Sequence, residues 1–207
     1  MHCYNQGVRK LLIATRSKGK FPEIVDQLQD LSYGFTNLNE IPGLPKNFEV
    51  EEPATTFEGN AIIKAMTYGK KTGLLTLAED AGLEIDALGG RPGIYSARYA
   101  PGTDEDRYRK VLGELQDTPD EKRTARFVAV IAIYDPENDK VRICRGECEG
   151  KIITKPCGTK GFGYDPIFYN TQLHKTNAQM SIQEKNSISH RGRALQKAKE
   201  ILKTEFI

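Results

Sequence analysis

Short apolar segments alternate with amphipathic segments along most of this chain. Residues 10–14 and 74–78 are mostly apolar over the length of a buried strand, and each runs into a polar segment. Apolar residues recur at helical spacing after Gly19, and a second helix is predicted to begin at the capping-box pattern Thr55-x-x-Glu58. Strands that alternate with helices in this way predict an α/β fold.

The second half of the chain predicts a long hairpin and three helices. Residues 123–134 are mostly β-branched and aromatic, and residues 141–153 alternate as a returning strand after a turn rich in Asp, Asn and Pro. Helices are predicted to begin after Thr103 and Ser181, and a basic amphipathic helix is predicted over residues 189–204. Together these elements predict a long central mixed β-sheet with flanking helices.

Composition adds limits on size, location and partners. The 207 residues are 38% hydrophobic and 28% charged, which suits a single domain over residues 1–207, or two lobes that share one sheet. The formal net charge of +2 is too small to indicate a general nucleic-acid or membrane-surface binder. The longest apolar run, residues 127–134, is far shorter than the roughly 20 residues that cross a bilayer, and the first residues lack a leader pattern. We therefore expect a cytoplasmic protein.

Cysteine and histidine are too sparse and too scattered to build a zinc site. The four cysteines, at positions 3, 144, 148 and 157, include no Cys-x-x-Cys pair, and the chain has only three histidines. A cytosolic chain of this size needs no disulfides to fold. We therefore expect reduced thiols.

Carboxylates stand where a divalent cation would be held. Glu79 and Asp80 directly follow the apolar residues 74–78, which places them at the expected end of a buried strand, where α/β proteins bind ligands. Beside phosphates, one or two such carboxylates hold Mg²⁺ while water and phosphate oxygens complete its coordination. The alternative for this pair is a helix cap or a surface turn. A further ligand is available from a group of preceding glutamates, which are Glu51, Glu52 and Glu58.

The loop after the first strand carries cations suited to an anionic ligand. Lys18 and Lys20 lie at the start of a predicted helix, whose N-terminal N–H groups favour anions. The segment is not a Walker P-loop, because that motif requires glycine where Ala14 stands and a hydroxyl where Phe21 stands. The alternative is that both lysines are solvated surface charges.

A second set of candidate binding residues lies in the last third of the chain. The segment from Lys185 to Arg191 suits a phosphate tail at Lys185 and a base carbonyl at His190 or Arg191. Upstream, Phe162 and Tyr164 stand among glycines and offer rings for stacking on a base. The alternatives are that His190 is a structural histidine and that the two aromatic residues serve packing.

Five segments share both their residues and their order with a known enzyme family. They are Ala14-Thr-Arg-Ser-Lys-Gly-Lys20, Thr56-Phe-Glu-Gly-Asn-Ala-Ile-Ile-Lys64, Ala78-Glu-Asp-Ala-Gly-Leu83 with the following Gly89-Gly-Arg-Pro-Gly-Ile-Tyr-Ser-Ala-Arg-Tyr99, Gly161-Phe-Gly-Tyr-Asp-Pro166, and Glu184-Lys-Asn-Ser-Ile-Ser-His-Arg191. With these segments the chain resembles the inosine/xanthosine triphosphate pyrophosphatase family over almost its whole length. Each segment alone is a weak signal, but the five in order are highly specific.

The resemblance implies an elongated, two-lobed α/β domain with the active-site cleft between the lobes, a homodimer, and a Mg²⁺-dependent site. By this resemblance Asp80 corresponds to the proton acceptor and a metal ligand, and Glu52 corresponds to the second metal ligand. The resemblance assigns substrate contacts to Thr15, Arg16, Ser17, Lys18, Gly19, Lys20, Ala81, Phe162, Gly163, Tyr164, Asp165, Lys185, His190 and Arg191.

Two positions depart from the family pattern. The family usually has asparagine where Ser17 stands and serine where Ala81 stands. A hydroxyl at position 17 still makes one hydrogen bond, so phosphate contact is weakened there. Any contact at position 81 must come from the backbone N–H.

The implied activity is hydrolysis of noncanonical purine nucleoside triphosphates (ITP, dITP and XTP) to the monophosphate and pyrophosphate, which sanitises the nucleotide pool. Mg²⁺ on Glu52 and Asp80 would neutralise charge on the pyrophosphate, as would the ammonium groups of Lys18, Lys20 and Lys185. Two alternatives stay open: a related nucleotide pyrophosphatase for other modified bases, and a nucleotide-binding regulatory module without turnover.

Overall fold

The computed structural model describes residues 8–206, and these residues build a seven-stranded mixed sheet. The order across the sheet is β2-β1-β3-β4-β5-β6-β7. β1 is parallel to both β2 and β3, whereas β6 is antiparallel to both β5 and β7. The predicted α/β class with a mixed sheet is therefore confirmed. The strands are β1 (Lys10–Ile13), β2 (Gly34–Asn37), β3 (Leu75–Ile85), β4 (Thr124–Asp135), β5 (Lys140–Ile152), β6 (Phe168–Asn170) and β7 (Lys175–Thr176).

Within residues 8–206, five α-helices accompany the sheet. The predicted starts after Thr103 and Ser181 are confirmed, because each of these residues accepts a hydrogen bond from the third helical N–H in a complete capping box. The helix predicted from Thr55 begins one residue later, since the Oγ1 of Thr56 accepts from the Gly59 N–H at 3.1 Å. The helices are α1 (Lys20–Leu28), α2 (Phe57–Thr72), α3 (Asp104–Glu114), α4 (Ile182–Ile188) and α5 (His190–Glu205).

Strand β3 is longer than its sequence indicates. The sequence predicts that Glu79 and Asp80 lie at the end of this strand, but the strand continues to Ile85. Its later apolar residues are fully buried, and ion pairs compensate the two carboxylates within the strand. Because successive side chains of a strand point to opposite faces, Glu79 and Asp80 do not form one adjacent pair of ligands.

The chain forms two compact units. Of the described residues, the first comprises 8–80, Val130–Cys144 and 195–206, whereas the second comprises Ala81–Ala129 and Arg145–Ala194. Each unit has an apolar core of its own. The prediction of one functional domain over the whole chain stays a prediction.

The described cysteines are free thiols, as predicted. Cys144 and Cys148 are buried and Cys157 is exposed, whereas Cys3 lies outside the described residues. Burial raises the pKa of the Cys144 thiol to about 11, which makes it a poor nucleophile at neutral pH. No helix within residues 8–206 is long and apolar enough to cross a membrane.

Candidate active site

Two carboxylates of the first unit converge on one ammonium group. The Nζ of Lys64 lies 3.1 Å from Glu52 Oε1 and 2.9 Å from Asp80 Oδ1. Lys64 is on α2, Asp80 is on β3, and Glu52 is on the segment that precedes α2. We call Glu52, Lys64 and Asp80 the carboxylate cluster. It contains two carboxyl groups and one amino group.

Asp80 is the more deeply buried of the two acids. Its side chain is 11% exposed against 26% for Glu52, and its Oδ2 is buried without a hydrogen-bond partner in the described part of the chain. Burial raises the pKa of Asp80, the Lys64 ammonium opposes this effect, and the Glu52 carboxylate adds to it. The side chain of Asn60 also lowers the pKa of Asp80 through a hydrogen bond, and its Nδ2 is a second buried polar atom without another partner among the described residues.

The donor set of the cluster fits a small, hard cation. Mg²⁺ takes oxygen ligands and is usually held by one or two carboxylates, with water and phosphate oxygens at its other positions. Glu52 and Asp80 already share one cation, the ammonium of Lys64. Among residues 8–206, no group of three or more His, Cys, Asp or Glu side chains is placed to hold a metal. A cation bound here would therefore depend on water and phosphate oxygens.

Lys64 is a site residue to which sequence reasoning assigned no role. It lies one helical turn after Asn60 on the same face of α2. The Oδ1 of Asn60 accepts from the Ala54 N–H at 3.0 Å, which ties the start of α2 to the segment that carries Glu52. A polar pair at this spacing, directly after a helix cap, is the signal that could have identified Lys64. Of the neighbouring glutamates, Glu51 is exposed, whereas Glu52 pairs with Lys64.

A cavity of about 330 Å³ in the first unit is bordered by two members of the cluster, Glu52 and Lys64, and by the loop after β1. Lys20 reaches from this loop to the buried Glu79, with Nζ 3.2 Å from Oε1. Cations and carboxylates therefore both line the cavity, as a site for a polyphosphate with a bound cation requires. The charged and polar lining residues are Thr15, Arg16, Lys20, Glu49, Glu52, Lys64, Tyr68 and Glu79.

The loop from Thr15 to Lys20, here the first loop, is shaped by its own side chains. The Ser17 N–H donates to Thr15 Oγ1 at 3.1 Å, and Ser17 Oγ accepts from the Lys20 N–H at 3.2 Å. The Arg16 guanidinium donates to Pro45 O at 2.9 Å, so it also holds the proline-rich segment. Lys18 and Gly19 are exposed at the start of α1. The Ser17 hydroxyl therefore accepts the first N–H of α1, although Gly19 is the residue at the N-cap position.

In the second unit, the segment Gly161–Asp165, here the ring loop, presents one aromatic side chain. Gly161 and Gly163 have φ values of +78° and +62°, in the left-handed region that favours glycine. Between them Phe162 is 46% exposed. Tyr164 is only 4% exposed, and its hydroxyl donates to Ser96 O at 2.7 Å. The expectation of two stacking rings is therefore wrong for Tyr164, because packing in the core covers its ring.

Two cations lie against the exposed ring. The Nζ of Lys185 is 4.7 Å and the Cζ of Arg191 is 5.7 Å from the centroid of Phe162, within cation–π range. The buried Asp165 accepts from Lys185 Nζ at 2.6 Å and from the Phe162 N–H at 2.9 Å. The role of Lys185 at a phosphate tail stays a prediction, whereas its neighbours favour the base end of a nucleotide.

His190 and Ala81 are placed differently from the ring loop residues. His190 is buried, and its ring stacks on Phe127 with centroids 4.9 Å apart and planes 14° apart. Phe127 belongs to the apolar core of the second unit, so one face of the imidazole is occupied by packing. Ala81 directly follows Asp80 in β3. Substrate contacts by these two residues stay predictions.

The chain belongs to the Ham1 family, whose family model matches residues 11–201. A dITP/XTP pyrophosphatase from Desulforamulus reducens is 46% identical over 200 residues, which cover 96% of this chain and 98% of that protein. A dITP/XTP pyrophosphatase from Bacillus cereus is 42% identical over 205 residues, which cover 98% of each. The solved structure of a HAM1 protein from Coxiella burnetii matches with a TM-score of 0.85 at 42% identity, over 94% of this chain and 98% of that one. The resemblance to inosine/xanthosine triphosphate pyrophosphatases is thereby confirmed.

Proposed function

We propose that this chain hydrolyses noncanonical purine nucleoside triphosphates, namely ITP, dITP and XTP, to the monophosphate and pyrophosphate, and so sanitises the nucleotide pool. The observation that carries the proposal is the carboxylate cluster, in which Glu52 and Asp80 share one cation and Asp80 is deeply buried. The dITP/XTP pyrophosphatases that are 42% and 46% identical over nearly the whole chain support the substrate class.

The cluster and the first loop provide the groups that the reaction needs. Asp80 orients a water molecule and takes its proton while the water oxygen forms a bond to the α phosphorus. The bond from the α phosphorus to the oxygen that bridges to the β phosphorus breaks, and pyrophosphate leaves with the electron pair. The ammonium groups of Lys18, Lys20 and Lys64 offset the charge that gathers on the leaving group. When held by Glu52 and Asp80, Mg²⁺ supplies further neutralisation of that charge.

The ring loop and the start of α5 recognise the base. Phe162 offers its ring for stacking, which is favourable for any purine and cannot choose among them. Arg191 or a backbone N–H donates to a 6-oxo group, whereas the 6-amino group of adenine would leave such a donor unsatisfied. A site built on such donors rejects the mismatched base strongly.

The test is a panel of nucleoside triphosphates assayed with and without Mg²⁺, with pyrophosphate and orthophosphate measured separately. We expect pyrophosphate and IMP from ITP, no orthophosphate, and loss of turnover in EDTA that Mg²⁺ restores. Orthophosphate as the first product would contradict cleavage between the α and β phosphorus atoms. Tight nucleotide binding without any turnover would indicate a regulatory module, and a preference for a modified pyrimidine would indicate a different substrate class.

We also propose that the chain acts in the cytoplasm as a homodimer. The resemblance to the family supports the dimer, and the near-neutral net charge of +2 supports the absence of a nucleic-acid partner. Light scattering coupled to size exclusion tests the dimer at micromolar concentration. A mass near 23.2 kDa would contradict it.

A further inference from the structure

The ring loop is held in place from several directions. Asp165 accepts the Phe162 N–H from within the loop, and Tyr164 donates to Ser96 O. The N–H of Gly163, which directly follows Phe162, donates to Asp104 Oδ2 at 2.7 Å. This last contact joins residues 59 positions apart in sequence, and it is made by a side chain outside all five family-like segments.

Asp104 is itself fixed at the start of a helix by its contacts. It is the first residue of α3, and its two carboxylate oxygens have different partners: Oδ2 accepts from Gly163, and Oδ1 pairs with the Arg107 guanidinium one turn along the helix. Burial alone would raise the pKa of Asp104, but the Gly163 N–H and Arg107 outweigh it, so the pKa is lowered. The carboxylate is therefore charged and oriented at neutral pH.

We propose that Asp104 is a positioning residue for nucleotide binding: by accepting the Gly163 N–H, it holds the ring loop in the geometry that presents Phe162 to the base. Gly163 has φ +62°, a conformation that a glycine leaves easily because it has no side chain to restrict it. The fixed acceptor removes that freedom before the base arrives. A loop that is already ordered in the free protein loses less conformational entropy on binding, so the affinity for the nucleotide is higher.

The inference rests on the proposed function, since it takes the ring loop as the base-binding element. Phe162 would contact the base in both the bound substrate and the transition state, so loosening the loop weakens both to the same extent. Such a loss raises KM and leaves kcat nearly unchanged. A simple loss of folded protein would instead lower the apparent kcat.

The experiment compares three variants of the full chain. Asp104→Ala removes the acceptor, and we expect KM for ITP to rise about tenfold with kcat within about twofold, as for loss of a charge-assisted hydrogen bond. Asp104→Asn keeps a side-chain oxygen at this position, and its KM should stay within about threefold of the wild type. Asp106→Ala is the matched control, because Asp106 completes the capping box of the same helix through the Thr103 N–H at 2.7 Å. Its Tm should fall at least as far as that of Asp104→Ala, with KM unchanged.

An unchanged KM in Asp104→Ala would overturn the inference, as would an equal rise in Asp106→Ala, because the effect would then come from the stability of α3. Hydrogen exchange of the Gly163 amide, followed by NMR in the protein without nucleotide, gives a readout that needs no activity. We expect faster exchange in Asp104→Ala and wild-type exchange in Asp106→Ala. Gly163 exchange that is unaffected by Asp104→Ala sinks the inference. Wild-type protein that fails to hydrolyse ITP sinks the proposed function, while Gly163 exchange still tests the contact.

Discussion

The carboxylate cluster buries charge, whereas the ring loop exposes an apolar ring, so the two candidate regions depart from ordinary protein surfaces in opposite ways. In the cluster, Asp80 is kept inside the first unit by a lysine that a second carboxylate shares. In the ring loop, a phenylalanine is kept outside the core by hydrogen bonds to its flanking backbone. Each arrangement costs stability, because a buried charge loses its hydration and an exposed ring stays in water. Under the proposed function, the cluster would compensate charge and the ring would offer a flat apolar face.

Under the proposed function, the cluster would govern the catalytic rate and the ring loop would govern affinity. Burial disfavours the charged form of Asp80. The ring of Phe162 is exposed, and its position depends on hydrogen bonds of the neighbouring backbone. Changes in the cluster should therefore alter kcat for every substrate. Changes around the ring should alter KM or the choice of base.

The largest expected effect is that of Asp80→Asn, which keeps the shape of the side chain and removes its charge. We predict that kcat falls at least about a hundredfold for ITP and XTP alike, the scale of losing a general base and metal ligand. The Tm should not fall, because burial already penalises the charge. The measurement is steady-state kinetics with a parallel melting curve, and Glu51→Gln is the matched control because Glu51 is exposed nearby. Near-normal kcat in the folded variant would remove Asp80 from the mechanism.

Base choice tests the other half of the comparison. We predict that kcat/KM for ITP and XTP exceeds that for ATP by about a hundredfold, since two buried donors left unpaired cost about 1–3 kcal/mol each. GTP should fall between them, because guanine shares the 6-oxo group and adds a 2-amino group. Competition of the nucleotides in one assay gives the ratios directly. Similar values for ITP and ATP would show that the second unit does not select the base.

Lys185→Ala separates the phosphate end from the base end. Its ammonium lies over the Phe162 ring, so we predict that binding weakens about tenfold for ITP and IMP alike, as for loss of one charge-assisted contact. Calorimetric titration of both nucleotides measures this. If affinity falls for the triphosphate alone, Lys185 contacts the phosphate tail instead of the base.

The smallest expected effect is that of Tyr164→Phe. The hydroxyl donates to Ser96 O in the core, so its removal should lower the free energy of unfolding by about 1 kcal/mol and leave kcat/KM within about twofold. Denaturant unfolding and ITP kinetics check the two parts. Phe162→Leu is the opposite case, with Tm unchanged and KM raised several-fold. A kinetic defect in Tyr164→Phe would mean that the hydroxyl of Tyr164 contributes to nucleotide hydrolysis and does not only stabilise the core.

Much of the fold can be predicted from the sequence because local patterns determine it. The apolar run of β1, the hairpin of β4 and β5, and the capping boxes at Thr103 and Ser181 are short-range signals that tertiary structure did not override. β6 and β7, with three and two residues, are too short to show alternation. The sequence predicts that β3 ends near Ala78, because acidic residues and glycine disfavour strands. Ion pairs and burial extend the strand to Ile85.

The candidate site likewise contains residues that the sequence indicates and residues that it does not. Family-like segments indicated Asp80, Glu52 and the ring loop, but they gave no role to Lys64, whose importance lies in two contacts with residues 12 and 16 positions away. Asp104 reads as an ordinary acidic residue in the first turn of a helix. Its contact with Gly163 depends on how α3 packs, which no local pattern encodes.

The alternation of side chains in β3 limits which genetic changes the chain can absorb. Residues 75–78 are buried whichever face they point to, so packing alone would accept this strand in either register. Glu79 and Asp80 would not tolerate a change of register, because a shift of one position exchanges the faces of every side chain. Loss of a single codon ahead of Asp80 would therefore turn this carboxylate away from Lys64 while sparing the apolar character of the strand. The turn at residues 136–139 absorbs a lost or added codon far more readily, so descendants of this enzyme should differ in loop length there and in β3 only by substitution.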